Sequence, residues 1–305
     1  MPVPDLTVTV GPLKLKNPVI LASGTFGREL SQYINLAEVG GVISKSITLE
    51  PRGGNPPPRL LETPAGIINS IGLENPGLKT FCREYLPWLK TVKTTRIVSV
   101  AGENANEFKE ITVALSRQKG IDALELNISC PNIARGNLTI GSSASLTKEV
   151  VKKARKATKY PLIVKLSPNV TDIVQIARAA VAGGADIISL VNTFRALAID
   201  WKTGQPRLGN ITGGLSGPAI KPMALWMVWQ VAQNIKTPVI GIGGIMTAED
   251  ALEFMAAGAR AVQIGTANIV NPNASVKIIS DLKKILTKEK CASLLNFLDR
   301  RNNLC

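Results

Sequence analysis

The sequence predicts an α/β fold of the (β/α)8 TIM-barrel type, and three observations carry that expectation. Eight nearly continuous Val/Ile/Leu runs recur along the chain, at 19–22, 41–46, 96–100, 121–127, 162–166, 186–192, 239–243 and 261–265. Parallel strands covered on both faces read as such runs rather than as an alternation. Helical patterns such as 106–118, 171–182 and 248–257 lie between them, so strand, polar loop and amphipathic helix alternate eight times over. Eight such units in about 250 residues make one barrel, whose site lies at the C-terminal ends of the strands. A doubly wound sheet would reverse its strand order and rarely needs eight units. No linker or low-complexity break interrupts the 305 residues, so residues 1–305 are expected to form one domain.

Taken in order, Leu6-Thr7-Val8-Thr9-Val10 alternates, turns at Gly11-Pro12 and continues as Leu13-Lys14-Leu15-Lys16, which predicts an N-terminal β-hairpin before the barrel. The first barrel strand ends at Ala22-Ser23-Gly24, and the second carries Lys45-Ser46. Two connections are long, 49–79 (rich in Pro and Gly) and 194–221, and loops of that length in a compact domain are commonly lids or binding loops. The fourth strand runs into Asn127-Ile128-Ser129-Cys130-Pro131-Asn132, where Pro131 cannot continue a central strand. This gathers two amides, a hydroxyl and a thiol at one strand end. Strand five contributes Lys165 and strand six Asn192-Thr193. A lysine in an apolar strand is costly unless paired, so Lys45 and Lys165 point to an anionic ligand over the barrel mouth. Thr247-Ala248-Glu249-Asp250 reads as a helix N-cap with acids in the first turn.

Strand seven ends in Gly241-Ile242-Gly243-Gly244 and strand eight in Gly265-Thr266. Loops after these two strands are where such barrels hold a phosphate, because glycine lets backbone N–H groups approach the oxygens. No stretch completes GxGxxG, so a mononucleotide fits better than a dinucleotide.

Composition narrows the chemistry. There is no histidine, and the four cysteines (Cys82, Cys130, Cys291, Cys305) show no paired spacing. That argues against a resident metal, an iron–sulfur cluster, a His-dependent triad or a disulfide framework, and it leaves acid–base work to Cys, Lys, Ser, Tyr or a carboxylate. No apolar run is long enough to span a bilayer, and no secretory signal is visible at the N-terminus, so a cytoplasmic protein off the membrane is expected. The net charge of +14 suits an acidic partner, but its densest run, Lys148 to Lys159, has helical spacing. A solvated helix face is the expectation there, with no nucleic acid bound.

These segments together resemble the catalytic chain of the class 1 dihydroorotate dehydrogenases, flavin mononucleotide (FMN) barrels. The matching stretches are Ala22-Ser23-Gly24, Ser44-Lys45-Ser46-Ile47-Thr48, Asn69-Ser70-Ile71-Gly72-Leu73, Asn127 to Asn132, Val164-Lys165-Leu166-Ser167-Pro168, Gly213-Gly214-Leu215-Ser216-Gly217-Pro218 and Gly241 to Ile245. They span essentially the whole chain in order. The resemblance implies that FMN lies across the strand ends, its phosphate on Gly243, Gly244, Gly265 and Thr266. Ala22, Ser23, Gly24, Lys45, Ser46, Asn127, Lys165 and Gly217 would line its ring and chain. It implies that dihydroorotate or orotate is held by Lys45, Asn69, Gly72, Leu73, Asn127, Asn132, Asn192 and Thr193. Four asparagines suit a cyclic imide, since each offers a donor and an acceptor. It further implies that Cys130 is the base and that Lys165 stabilises negative charge on the reduced ring. Ser129 is the alternative base, as in the membrane-associated class.

Ile133-Ala134-Arg135-Gly136-Asn137 and Ser99-Val100-Ala101-Gly102 look closer to the NAD-linked class 1B than to the fumarate-using class 1A. The resemblance therefore implies a homodimer of this chain within a heterotetramer, whose second subunit carries FAD and a 2Fe–2S cluster. The remaining rivals are a tRNA dihydrouridine synthase, which would carry a helical RNA-binding domain after the barrel, and a phosphate-ligand scaffold without catalysis.

Overall fold

The eight apolar runs close on one another. The computed structural model describes residues 3–25, 27–129 and 139–302. In it the parallel strands Val19–Leu21, Gly41–Ile43, Thr95–Val100, Ala123–Asn127, Leu162–Lys165, Ile187–Leu190, Val239–Ile242 and Ala259–Ile264 form a closed barrel in chain order. The eighth strand pairs with the first, Val262 opposite Val19 and Ile264 opposite Leu21. This is the (β/α)8 barrel expected. Six of the strands end one to three residues before the apolar runs do, because there the backbone leaves the ladder to build loops, while the third and fourth end with their runs at Val100 and Asn127. The N-terminal hairpin pairs Val8–Val10 with Leu13–Leu15 antiparallel.

Val, Ile and Leu of all eight strands are buried, and the helices cover the outside with apolar faces: Phe108, Ile111 and Leu115 from Ala105–Ser116, and Ile176, Ala177 and Ala180 from Ile173–Gly183. Each such aliphatic side chain contributes about 1.5–3 kcal/mol when withdrawn from water. The strict alternation breaks once. Between the first and second barrel strands the described residues hold only a 3-10 turn, Glu29–Gln32, in place of an α-helix. The other connections carry helices, and Ala248–Ala256 begins with the expected Thr247 cap. The Thr247 hydroxyl accepts from the Asp250 N–H, and the Asp250 carboxylate accepts from the Thr247 N–H.

The two long connections are not structureless. Leu60–Thr63, Gly66–Asn69, Phe194–Leu197 and Thr212–Ser216 make a four-stranded antiparallel sheet over the barrel mouth. Its seam pairs Gly214 with Asn69 and Ser216 with Ile67, so the excursion after strand two is sewn to the one after strand six. The seam needs a glycine: at Gly66, with φ +157°, an added Cβ would lie 2.0 Å from the Ser216 carbonyl oxygen. No helix among the described residues is long and apolar enough to cross a membrane.

Candidate functional site

Barrel and lid sheet enclose a cavity of about 610 Å³ at the C-terminal strand ends. Seventeen of the singled-out residues line it: Ala22, Ser23, Gly24, Lys45, Ser46, Asn69, Gly72, Leu73, Asn127, Lys165, Asn192, Thr193, Gly217, Gly243, Gly244, Gly265 and Thr266. Cys130 and Asn132 lie outside the described residues, as does the stretch from Ile133 to Asn137. One expectation is corrected. Lys45 does not stand in an apolar strand: the second strand stops at Ile43, and Lys45 is exposed on the segment that follows. Only the Lys165 half of the costly-lysine argument therefore holds.

Lys165 does sit inside a strand and is only 6% exposed. No described residue gives its ammonium a hydrogen bond or an ion pair within reach, and the side chain borders the cavity. Among the described residues the buried charged side chains are Lys165 and Glu125 alone, on neighbouring strands. Glu125 is engaged elsewhere, accepting from the Ser189 hydroxyl at 3.0 Å and from the Gln263 amide at 2.7 Å. A cation on a buried side chain that has no partner among the described residues calls for an anionic or electron-rich ligand.

Glycine forms another stretch of wall. Gly243 and Gly244 have φ of +130° and +72°, and a Cβ on Gly244 would come within 2.8 Å of the Gly217 carbonyl oxygen, so the loops after strands six and seven touch backbone to backbone. Gly265 differs. A Cβ there would meet only Thr25 and Ala22, at 3.7 and 3.8 Å, so the protein itself leaves room that a ligand can take. Thr266 Oγ1 donates to Ser216 Oγ at 2.9 Å, joining the strand-eight loop to the lid.

Lys221 and Asp250 lock these loops together. The Lys221 ammonium donates to Asp250, and to Glu253 at 3.0 Å, while the Asp250 carboxylate accepts from the Met246 and Thr247 N–H groups at 2.8 and 3.0 Å. Burial pushes the Asp250 carboxyl up, but Lys221 and the two backbone donors outweigh it and hold it below its ordinary 3.8. A carboxyl depressed on folding contributes stability above its unfolded value, and this is lost as pH falls through the folded one. Thermal unfolding followed from pH 7 down to pH 3 is thus expected to show a smaller fall in Tm for Asp250→Asn than for the native chain.

On the opposite wall, strand ends four and six meet in one network. The Asn127 amide donates to Ser46 Oγ at 3.1 Å, and Ser46 in turn shares a 2.8 Å hydrogen bond with Ser99. Asn127 Oδ1 accepts from Ser129 N at 3.3 Å and Oγ at 2.7 Å, and from Asn192 Nδ2 at 3.3 Å. Asn192 Nδ2 also donates to Ser129 Oγ, and Asn192 Oδ1 accepts from Thr193 N at 2.8 Å. On the lid, Gly72 and Leu73 have φ of +76° and +55°, and this left-handed turn is tied back by Asn75, whose amide donates to the Leu73 carbonyl at 2.7 Å. A left-handed leucine costs about 1–2 kcal/mol.

Sequence reasoning did not single out Asn75, Asn169 or Gln263, and it named Ser99 only within a stretch that marks the subclass. Asn169 fixes the entrance by donating to the Thr193 carbonyl at 3.0 Å and accepting from Arg195 N at 2.9 Å. For Asn75 a signal was present, since an Asn two residues before Gly77 and next to a Pro marks a turn. The others carry none that a single sequence reveals.

The family described as dihydroorotate dehydrogenase matches residues 5–286. The chain belongs to the dihydroorotate dehydrogenase family. It is 50% identical to a dihydroorotate dehydrogenase B (NAD(+)) catalytic subunit of Geotalea uraniireducens, over 95% of this chain and 96% of that protein. The equally named proteins of Geotalea daltonii and Thermodesulfovibrio yellowstonii are each 51% identical. They cover 93% and 94% of this chain, and 94% and 95% of their own lengths. Membership makes the chain an oxidoreductase of this family, and the match leaves the RNA-reductase and scaffold readings without support.

Proposed function

We infer that this chain oxidises dihydroorotate to orotate in pyrimidine biosynthesis, with FMN as the hydride acceptor, and that it does so as the catalytic subunit of an NAD-linked enzyme. The observation that carries the cofactor is Lys165. A buried, unpartnered ammonium on one wall of a cavity whose other wall is glycine-rich backbone suits a flavin ring at one end and a phosphate at the other. Gly243, Gly244, Gly265 and Thr266 hold the phosphate in this reading. Ala22, Ser23, Gly24, Ser46 and Gly217 line the remainder, and the room beside Gly265 fits the group. Bound FMN supplies the two-electron acceptor.

The chain's own residues do the rest. Lys45, exposed at the cavity rim, meets the substrate carboxylate. Asn69, Asn127, Asn132, Asn192 and Thr193, with the Gly72–Leu73 turn, hold the ring polar groups. Cys130, which follows Ser129 directly in sequence, removes the C5 proton. Lys165 faces the negative charge that builds as the hydride leaves the substrate. The names of the relatives support a partner subunit and NAD as the final acceptor. We assign to that partner the FAD and the 2Fe–2S cluster, for which this chain has no suitable cysteine spacing, and to this chain a homodimer within a heterotetramer.

The test is a visible spectrum of the purified chain loaded with FMN under anaerobic conditions. Dihydroorotate is expected to bleach the flavin band, and NAD to restore it only when the partner subunit is present. A band that dihydroorotate leaves unchanged, while NADPH alone bleaches it, would overturn the reading.

A further inference from the structure

We propose that Glu125 is the buried counter-charge of Lys165 and holds the reduction potential of the bound flavin low enough for its electrons to pass on to NAD. It is a positioning residue: fully buried and not bordering the cavity, it acts through its charge without touching substrate or cofactor. The inference rests on the reading that FMN lies against Lys165 and that NAD is the final acceptor.

Register places the two charges. In the parallel ladders Lys165 lies beside Asn127 of strand four and beside Ser189 of strand six. Side chains two residues apart on a strand share a face, so Glu125 stands below Asn127, which lines the cavity, one step deeper in the barrel. A rise of about 3.3 Å per residue and a strand spacing of about 4.8 Å put the Cα atoms of Glu125 and Lys165 roughly 8 Å apart. Glu125 Oε2 accepts from Ser189 at 3.0 Å and from Gln263 at 2.7 Å. Strand eight faces strand four across the barrel, so the Gln263 bond crosses the interior and fixes the carboxylate there. Both donors are neutral, and Oε1 has no hydrogen-bond partner. The carboxylate is held in place but is not neutralised by contact with a cation.

Packing does not ask for this layer. Barrel interiors are filled mainly by branched aliphatics, yet Glu125, Ser189 and Gln263 are all buried here, and a buried carboxylate costs stability. Its place under the cavity gives it a use. A hydride leaving dihydroorotate carries two electrons and one proton, hence one negative charge, to the group against Lys165. The C5 proton goes to the base, so the substrate leaves oxidised and the charge stays at the cavity wall. Lys165 favours that charge and Glu125 opposes it. NAD is a weak oxidant, and a flavin that holds its electrons too tightly cannot pass them on. Lys165 alone would raise the potential; the carboxylate beneath it offsets that rise. A unit charge on the order of 10 Å away, at an effective dielectric of about 20, changes an equilibrium that creates one charge by about tenfold.

The experiment measures the midpoint potential of FMN in the loaded chain by anaerobic equilibration with a reference dye, for the native protein, Glu125→Gln, Glu125→Asp and Lys165→Met. Glu125→Gln removes the charge and keeps an oxygen for Ser189 and Gln263. It is expected to shift the equilibrium toward reduced flavin by about tenfold, which is about 30 mV upward for a two-electron couple. Lys165→Met is expected to move the potential the other way. Glu125→Asp keeps the charge and is expected to stay within about threefold of the native equilibrium, a rescue that a purely structural role would not give. Thermal unfolding of the apoprotein is expected to show Glu125→Gln as stable as the native chain or more so. A Glu125→Gln potential within threefold of the native one would overturn the inference and leave the flavin reading standing, as would a Glu125→Asp potential that shifts equally. Loss of the folded apoprotein in both variants would make Glu125 a structural residue and overturn it too. A native chain that retains no FMN would overturn the reading beneath it.

Discussion

Lys165→Met is expected to lower the rate of flavin reduction by dihydroorotate by about two to three orders of magnitude, the cost of removing one preorganised electrostatic group from a dry site. Methionine keeps the length and apolar stem of lysine and removes the charge. The side chain is buried and unpartnered among the described residues, so removing its charge is expected to leave the Tm unchanged or raise it slightly. That pairing of outcomes is the point of the test. A lysine needed for folding would lose Tm on substitution, whereas one kept for a ligand loses FMN affinity and rate while the apoprotein stays folded. Stopped-flow reduction and thermal unfolding of the apoprotein separate the two, and unchanged reduction kinetics would refute the assignment.

Cys130→Ala is expected to cost about two to four orders of magnitude in the same reduction step, within the range of general acid–base catalysis, with FMN and orotate binding little changed. Cys130→Ser should recover a fraction only, because a hydroxyl is far less ionised than a thiol at neutral pH. The absence of histidine sharpens this expectation, since no imidazole is available to take over the proton. Measuring reduction across pH 6 to 10 checks it: the native rate should rise with the thiolate fraction, and the alanine variant should lose that rise.

The barrel was legible because eight buried parallel strands leave an unambiguous mark, a run of branched aliphatics such as Leu162-Ile163-Val164 followed by a charge at Lys165. The glycine-lined wall of the cavity was legible because glycines recur at the ends of strands seven and eight. The lid sheet was not. Its strands, such as Thr212–Ser216, are glycine-rich and half-buried, so they carry neither alternation nor a continuous apolar run. Lys45 misled because the apolar Val42-Ile43 and Ile47 flank Ser44-Lys45-Ser46 and read together as one strand, while the continuous ladder stops at Ile43 and Ser46 turns to Ser99. Ser129 was visible as a hydroxyl beside a thiol, but its orientation depends on Asn192, which is 63 residues away.

That lid seam has a kinetic consequence. Asn69 donates to the Gly214 carbonyl across 145 residues of chain, and four barrel strands, with their helices, lie between the partners. Loop closure over such a span is entropically slow until the intervening chain has condensed. The four intervening strands therefore condense before the seam, whereas the pairing of the first and eighth strands that closes the barrel spans a longer stretch still. During refolding, ligand-free chains should protect the amide hydrogens of the four intervening barrel strands from exchange before those of Gly66–Asn69 and Thr212–Ser216.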